Sequence, residues 1–250
     1  MKRATRLSLA ALLLALAASG PPSARTSSDV APLGKAANQV WVFSPARRAR
    51  NVVVFVHGWS TRTPSGYTAW INHLRAEGSI VIYPRYQLTR ADTTTAALEA
   101  FQHGIVTAFR SIAPVHIPVF AIGKSFGGSA VFYYAAEARL WGVPAPEAVL
   151  SVFPALPLGA LPATLLPARM YVELLVGDHD TIAGSAGANA FWQWLAAHPA
   201  DRKRYSTVRS RPGFLATHNS PYRTDRIARS IYWGTFDALI AAASQHRPIP

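Results

Sequence analysis

The residue with the clearest chemical potential is Ser125, set in Gly123-Lys124-Ser125-Phe126-Gly127 between an apolar run and a helical one. A hydroxyl flanked two positions away by glycine can stand on a sharp strand-to-helix turn, where larger neighbours would collide across the bend; Gly128 adds room for close helix packing. Serine is a poor nucleophile near neutral pH and needs a base held by a carboxylate. Downstream stand His179, His198, His218 and His246. His246 lies in the tail, His198 ends a helix before Pro199, and His179 sits among acids. His218, in the loop GFLATHNSPY between the last strand and the last helix, is where a base is needed if nucleophile, acid and base follow one another along the chain. The acid belongs in the loop after the strand 170–176. Asp178 and Asp180 both qualify there, Asp180 being further from the strand end and better able to lean toward His218, while Glu173 falls inside the strand.

Acyl transfer also needs donors for a developing oxyanion. The amide of Phe126 follows the nucleophile at a helix N-terminus, where the dipole favours negative charge. A second donor is expected from His57-Gly58-Trp59, where Gly58 lets the chain turn and the Trp59 amide can face the site; its ring either lines a pocket or packs the loop. The Lys124 side chain is expected to point away from the reacting face and to pair locally.

These residues need elements to hold them. QVWVF (39–43), NVVVFV (51–56) and SIVIY (79–83) read as strands, the second so continuously β-branched that both faces must be buried. Further strands are expected at 115–122, with Pro118 making a local irregularity, and at 148–153, 170–176 and 205–209. Helices are expected at 67–76, 91–112, 126–141, near 188–197, and at 224–243, from apolar residues at helical spacing. Strands alternating with helices imply a doubly wound, mostly parallel sheet. The Pro-, Leu- and Ala-rich stretch 156–168 is too short for a cap domain and reads as a connecting loop beside an open cleft.

The 250 residues fit one domain, and with 50% hydrophobic and 15% charged residues a large core is available. Lys2, Arg3 and Arg6 precede an unbroken Leu/Ala/Ser run from Leu7 to Ala18, the build of a secretory signal peptide and too short for a bilayer span of about 20 residues. The domain organisation is therefore read as a signal peptide (1–24, with the cleavage point open), a flexible segment (25–38) and a catalytic domain (39–250). The protein is expected to be secreted or periplasmic, with no stable membrane anchor once the leader is removed. With no cysteine, thiol catalysis, thiolate metal sites and disulfides are excluded. The net charge of +13 comes from scattered arginines without an aromatic-interleaved basic motif, so it reads as a solvated face with weak anion preference and not as a nucleic-acid site.

From about Asn51 to the end the sequence resembles the α/β-hydrolase superfamily. His57-Gly58-Trp59, the serine elbow, and Asp180-Thr181-Ile182-Ala183 ahead of Phe191-Trp192 look like bacterial polyester hydrolases, cutinases and chlorophyllase-like esterases. The resemblance implies an α/β-hydrolase fold without a large cap domain. It also implies Asp180 as the acid, His218 (after Thr217) as the base, and the amides of Trp59 and Phe126 as oxyanion donors. Two departures stand out: Lys124 and Phe126 flank the serine where that family commonly has His and Met or Leu, and the frequent terminal disulfide is absent. The expected activity is hydrolysis of a small-molecule or polymeric carboxylic ester through a Ser-His-Asp triad, with no metal or organic cofactor. Peptidase or thioesterase chemistry on the same scaffold, or an inactive binding protein, are the alternatives.

Overall fold

A computed structural model describes residues 31–112, 116–159 and 166–249. The expected signal peptide lies outside them, as does part of the 156–168 stretch. Seven strands form one sheet: β1 (Val40–Phe43), β2 (Asn51–Val56), β3 (Ser79–Pro84), β4 (Val119–Lys124), β5 (Ala148–Val152), β6 (Tyr171–Gly177) and β7 (Lys203–Val208). Their spatial order is β1-β3-β2-β4-β5-β6-β7. Only β1 runs antiparallel to its neighbour; every other pairing is parallel. The central strands β2, β4 and β5 are buried almost throughout, as continuous apolar runs in a doubly covered sheet should be.

Helices α1 (Thr68–Ala76), α2 (Thr94–Ser111), α3 (Phe126–Glu137), α4 (Ala186–Trp194), α5 (Arg226–Ala228) and α6 (Gly234–Ser244) connect and cover the strands. In α2 the buried residues Ala97, Ala100, Phe101, Gly104, Ile105 and Ala108 recur at spacings of three and four, which gives one inward stripe. Thr93 caps this helix by accepting from the Ala96 amide at 3.2 Å. By contrast, α3 is buried from Phe126 to Ala136, as befits the helix under the centre of the sheet. On one face Phe120, Ile122 and Leu150 pack with α1 and α6; on the other Val54, Ala121 and Val149 pack with α2 and α3. Among the described residues no helix is long and apolar enough to cross a membrane.

Three expectations are corrected. Pro118 stands before β4 and not within it: lacking an N–H, it contributes only its carbonyl, to the Val52 amide at 2.9 Å. The strand begins at Val119 and runs through Lys124 to the elbow. Helix α3 stops at Glu137 and not at Trp141, the chain turning through Gly142, whose φ is +68°. The closing helix is unbroken from Arg226 to Ser244 but does not keep one hydrogen-bond pattern. A π-helical turn, Arg229–Trp233, separates α5 from α6 and sends both Tyr232 and Trp233 into the core. There Trp233 stacks on Trp70 at 6.0 Å, and Tyr232 reaches Ser220.

The beginning of the expected flexible segment is undescribed, but Leu33 bridges Val40, and a short 3-10 turn spans Ala36–Asn38.

Candidate active site

Ser125 sits between β4 and α3 with φ +58° and ψ −121°, backbone values unusual for a residue with a side chain. The turn is fixed on both sides: the Ser125 amide donates to the Val152 carbonyl at 2.9 Å, and its carbonyl accepts from Ala155 at 3.1 Å. The flanking glycines are required by contact. A Cβ on Gly123 would lie 2.0 Å from the Gly127 carbonyl oxygen, and one on Gly127 would lie 2.2 Å from that of Val56.

From this turn Ser125 Oγ meets His218 Nε2 at 3.0 Å, and His218 Nδ1 meets Asp180 Oδ2 at 2.8 Å. With its proton on Nδ1, the ring donates to the carboxylate and accepts the hydroxyl proton. The structure thus brings together the three side chains read from the sequence. The Asp180 side chain is fully buried, and its second oxygen accepts from the amides of Ile182 and Ala183 at 2.8 and 3.0 Å. The carboxylate is aimed by its own turn before His218 arrives. Burial pushes the His218 pKa below its ordinary value; the bond to Asp180 opposes this shift, and the nearby Lys124 charge adds to it.

The other acid, Asp178, is turned elsewhere. It accepts from the Ser210 hydroxyl at 2.6 Å and the Ser210 amide at 2.9 Å, and it lies 2.9 Å from His179 Nδ1. These bonds hold its carboxyl far below the usual carboxylate range. In turn Ser210 Oγ accepts from the Ala216 amide at 2.9 Å. The cluster ties the loop after β6 to the loop that carries His218. Glu173 is likewise occupied, with Ser206 and Arg204 on β7, and His198 donates to the Met170 carbonyl.

The His57-Gly58-Trp59 loop lies directly on the elbow: a Cβ on Gly58 would lie 3.4 Å from Ser125 Cβ. The Trp59 ring packs against that of Phe126 at 4.8 Å, and the Phe126 amide is the first of α3, without a partner inside the helix. The chain after β3 braces this loop. Gln87, fully buried, accepts from the Ser60 amide at 2.6 Å, and the Tyr86 hydroxyl donates to the His57 carbonyl at 2.5 Å. His57 is buried, stacked on Tyr86 at 4.1 Å, and burial pushes its pKa down to about 4. It belongs to the frame of the site and does not face the cleft.

Sequence reasoning missed several supports. Gly177 is one: a Cβ there would lie 2.1 Å from the Ala216 carbonyl oxygen, so the end of β6 and the His218 loop touch backbone to backbone. Tyr222 and Arg90 are others; with Trp59, Lys124, Ser125 and His218 they line an open cleft of about 670 Å³. Lys124 departs from its expectation. Its side chain does not point away but lines this cleft, 6% exposed, with Nζ over the Tyr222 ring at 5.0 Å. The β4 register places it one residue before the nucleophile, and Gly58 lets its stem lie flat beneath the loop, where a Cβ would lie 3.2 Å from Lys124 Cδ.

A mostly parallel, doubly covered sheet with a serine elbow at the end of a central strand is the α/β-hydrolase fold. No family model matches this chain, and no curated protein matches it either. Solved structures do. Esterase B from Lactobacillus rhamnosis superposes with a TM-score of 0.62 at 15% identity, over 89% of each chain. Esterase 2 of Thermogutta terrifontis, phosphoramylated by tabun, gives 0.65 at 15% identity, over 92% of this chain and 98% of its own. An esterase of Rhizomucor miehei gives 0.63 at 13% identity, over 84% and 81%. At such identities the likeness speaks for the fold.

Proposed function

We propose that this protein is an exported serine hydrolase that cleaves carboxylic esters through an acyl-enzyme intermediate. The observation that carries the reading is the unbroken hydrogen-bonded line from Ser125 Oγ through His218 to the buried Asp180 carboxylate. His218 takes the serine proton as Oγ attacks the ester carbonyl. Asp180 holds the ring in the required tautomer and stabilises the imidazolium that forms. The amides of Trp59 and Phe126 receive the oxyanion; each fixed donor of this kind lowers the barrier by about 3 kcal/mol. His218 then protonates the departing alcohol, and water, deprotonated by the same ring, releases the acyl group.

Two things support ester chemistry: the open cleft above Ser125 and the naming of the structural neighbours as esterases. Thermogutta esterase 2 has also been solved phosphorylated by paraoxon, which recommends a phosphorus-based probe. A fluorophosphonate is expected to label the wild-type protein and not Ser125→Ala, and para-nitrophenyl esters are expected to be hydrolysed by the first alone. Folded protein that takes up no label at Ser125 would be a binding protein instead. Turnover of amides or thioesters in preference to oxygen esters would move the reaction class.

Export rests on the basic, apolar and small-residue succession of the first 24 residues. Expression of the full chain in a bacterium is expected to yield a periplasmic or secreted product lacking the leader. Recovery of uncleaved protein from the cytoplasm would overturn that.

A further inference from the structure

Lys124 is a cation without a counterion. The residue is 6% exposed, yet among the described residues its ammonium group forms no ion pair and no hydrogen bond. The nearest acid in its field, Asp180, is committed to His218 and to two backbone amides. Nζ lies over the Tyr222 ring at 5.0 Å, and that ring is itself anchored by a hydrogen bond between Tyr222 and Thr61 at 2.8 Å. The ammonium opens on the cleft, and the aromatic face recovers only part of the hydration it loses there. Desolvation accordingly lowers the Lys124 pKa to about 8, which still leaves it mostly charged at neutral pH. A leucine or methionine would fill the same volume without that cost, so the charge needs a use.

Its surroundings indicate one. The cleft over Ser125 is walled by Trp59 and Ile182, and two of its lining residues are basic, the buried Lys124 and the exposed Arg90. Arg90 has no ion pair among the described residues either, and its carbonyl is positioned by the Trp59 indole N–H at 3.4 Å. No carboxylate lines the cleft among the described residues: Asp180 is turned to His218, and Asp92, on the loop of Arg90, is bonded to Leu88 and Thr89. A bound ester therefore meets a positive, partly dehydrated surface one residue away from the nucleophile.

We propose that this cleft selects esters bearing a second, negatively charged group, a carboxylate, which Lys124 meets from within and Arg90 from the rim. The proposal rests on the reading of Ser125 as an ester nucleophile and adds the class of ester. A carboxylate suits the site because it gives the cleft-facing ammonium of Lys124 a charge-assisted hydrogen bond in place of the water that substrate binding expels.

Two substrate pairs test this: para-nitrophenyl hydrogen glutarate against para-nitrophenyl pentanoate, and the butyrate ester of meta-hydroxybenzoate against phenyl butyrate. The quantity read is the ratio of kcat/KM, acidic over neutral, in the wild type, Lys124→Met and Arg90→Gln. In at least one pair the ratio is expected to fall about tenfold or more in Lys124→Met, and less far but in the same direction in Arg90→Gln. Should Lys124→Met not fold, Arg90→Gln and the decline of the wild-type ratio with added salt carry the test. Ratios equal across the proteins and insensitive to salt overturn charge selection while leaving the hydrolase reading intact. Failure of every ester, with no phosphonate uptake at Ser125, overturns both.

Discussion

Two aspartates two positions apart show how little of a residue's role lies in its type. Asp178 and Asp180 share one loop, yet Asp180 turns inward to His218 while Asp178 turns outward to Ser210 and His179. Replacing Asp180 by Asn leaves the shape but removes the charge that holds the imidazolium. Ester turnover is expected to fall by about 10⁴-fold, the loss seen when a triad carboxylate becomes an amide. Asp178→Asn disturbs only the tie between two loops and should retain most of the activity. Steady-state kinetics on a nitrophenyl ester check both, and a large loss at Asp178 with little at Asp180 would reverse the assignment. The glycine-flanked turn singled out Ser125, and order along the chain then pointed to His218. Distance from the strand end favoured Asp180 and the resemblance implied it, but the role of Asp178 was not legible, because two residues apart in a turn means opposite directions only once the turn has a shape.

Among the elements, the β4-to-α3 turn carries the most constraint. Gly123→Ala would drive a Cβ to 2.0 Å from the Gly127 carbonyl oxygen, a backbone atom that cannot step aside. The elbow should fail to form, at a cost of roughly 4 kcal/mol or more. At Gly142 φ is +68° but nothing lies within 4 Å of a new Cβ, so Gly142→Ala should cost only the conformational strain, about 1 kcal/mol. Urea titration of both variants would show this, and equal midpoints would refute the steric account. Strand positions were legible because parallel strands buried on both faces are written as unbroken apolar runs. Helix ends were less so: the stop at Glu137 and the π-turn at Arg229–Trp233 follow from what those segments pack against, which local periodicity does not record.

At the scale of the whole molecule, one buried ring couples the frame of the site to pH. His57 has a folded pKa of about 4 against an ordinary 6.5, so the unfolded chain binds its proton first as the pH falls. The stability gained from keeping this ring neutral is complete above about pH 6.5, and it drains away as the pH drops toward 4. Over that whole window the shift corresponds to roughly 3 kcal/mol. His198 and His218, also lowered by burial, act in the same sense. Urea midpoints measured from pH 7 to 4.5 should therefore decline, and more steeply in the wild type than in His57→Gln. Parallel slopes in the two proteins would show that His57 is not a source of the decline.

Sequence alone determined the alternation of strands and helices, the glycine-flanked serine turn, and the histidine loop before the last helix. Each of these is set by local sterics, by burial pattern or by order along the chain. The sequence favoured Asp180 over Asp178 as the acid, but only the tertiary structure showed what Asp178 holds instead and what braces the Trp59 loop. It also decided that Lys124 lies inside the cleft, because these depend on residues far apart in the chain meeting across the sheet's edge. A side chain's direction is fixed by the register of its strand and by what stands above it; for Lys124 that is Gly58 and Tyr222, 66 and 98 positions away.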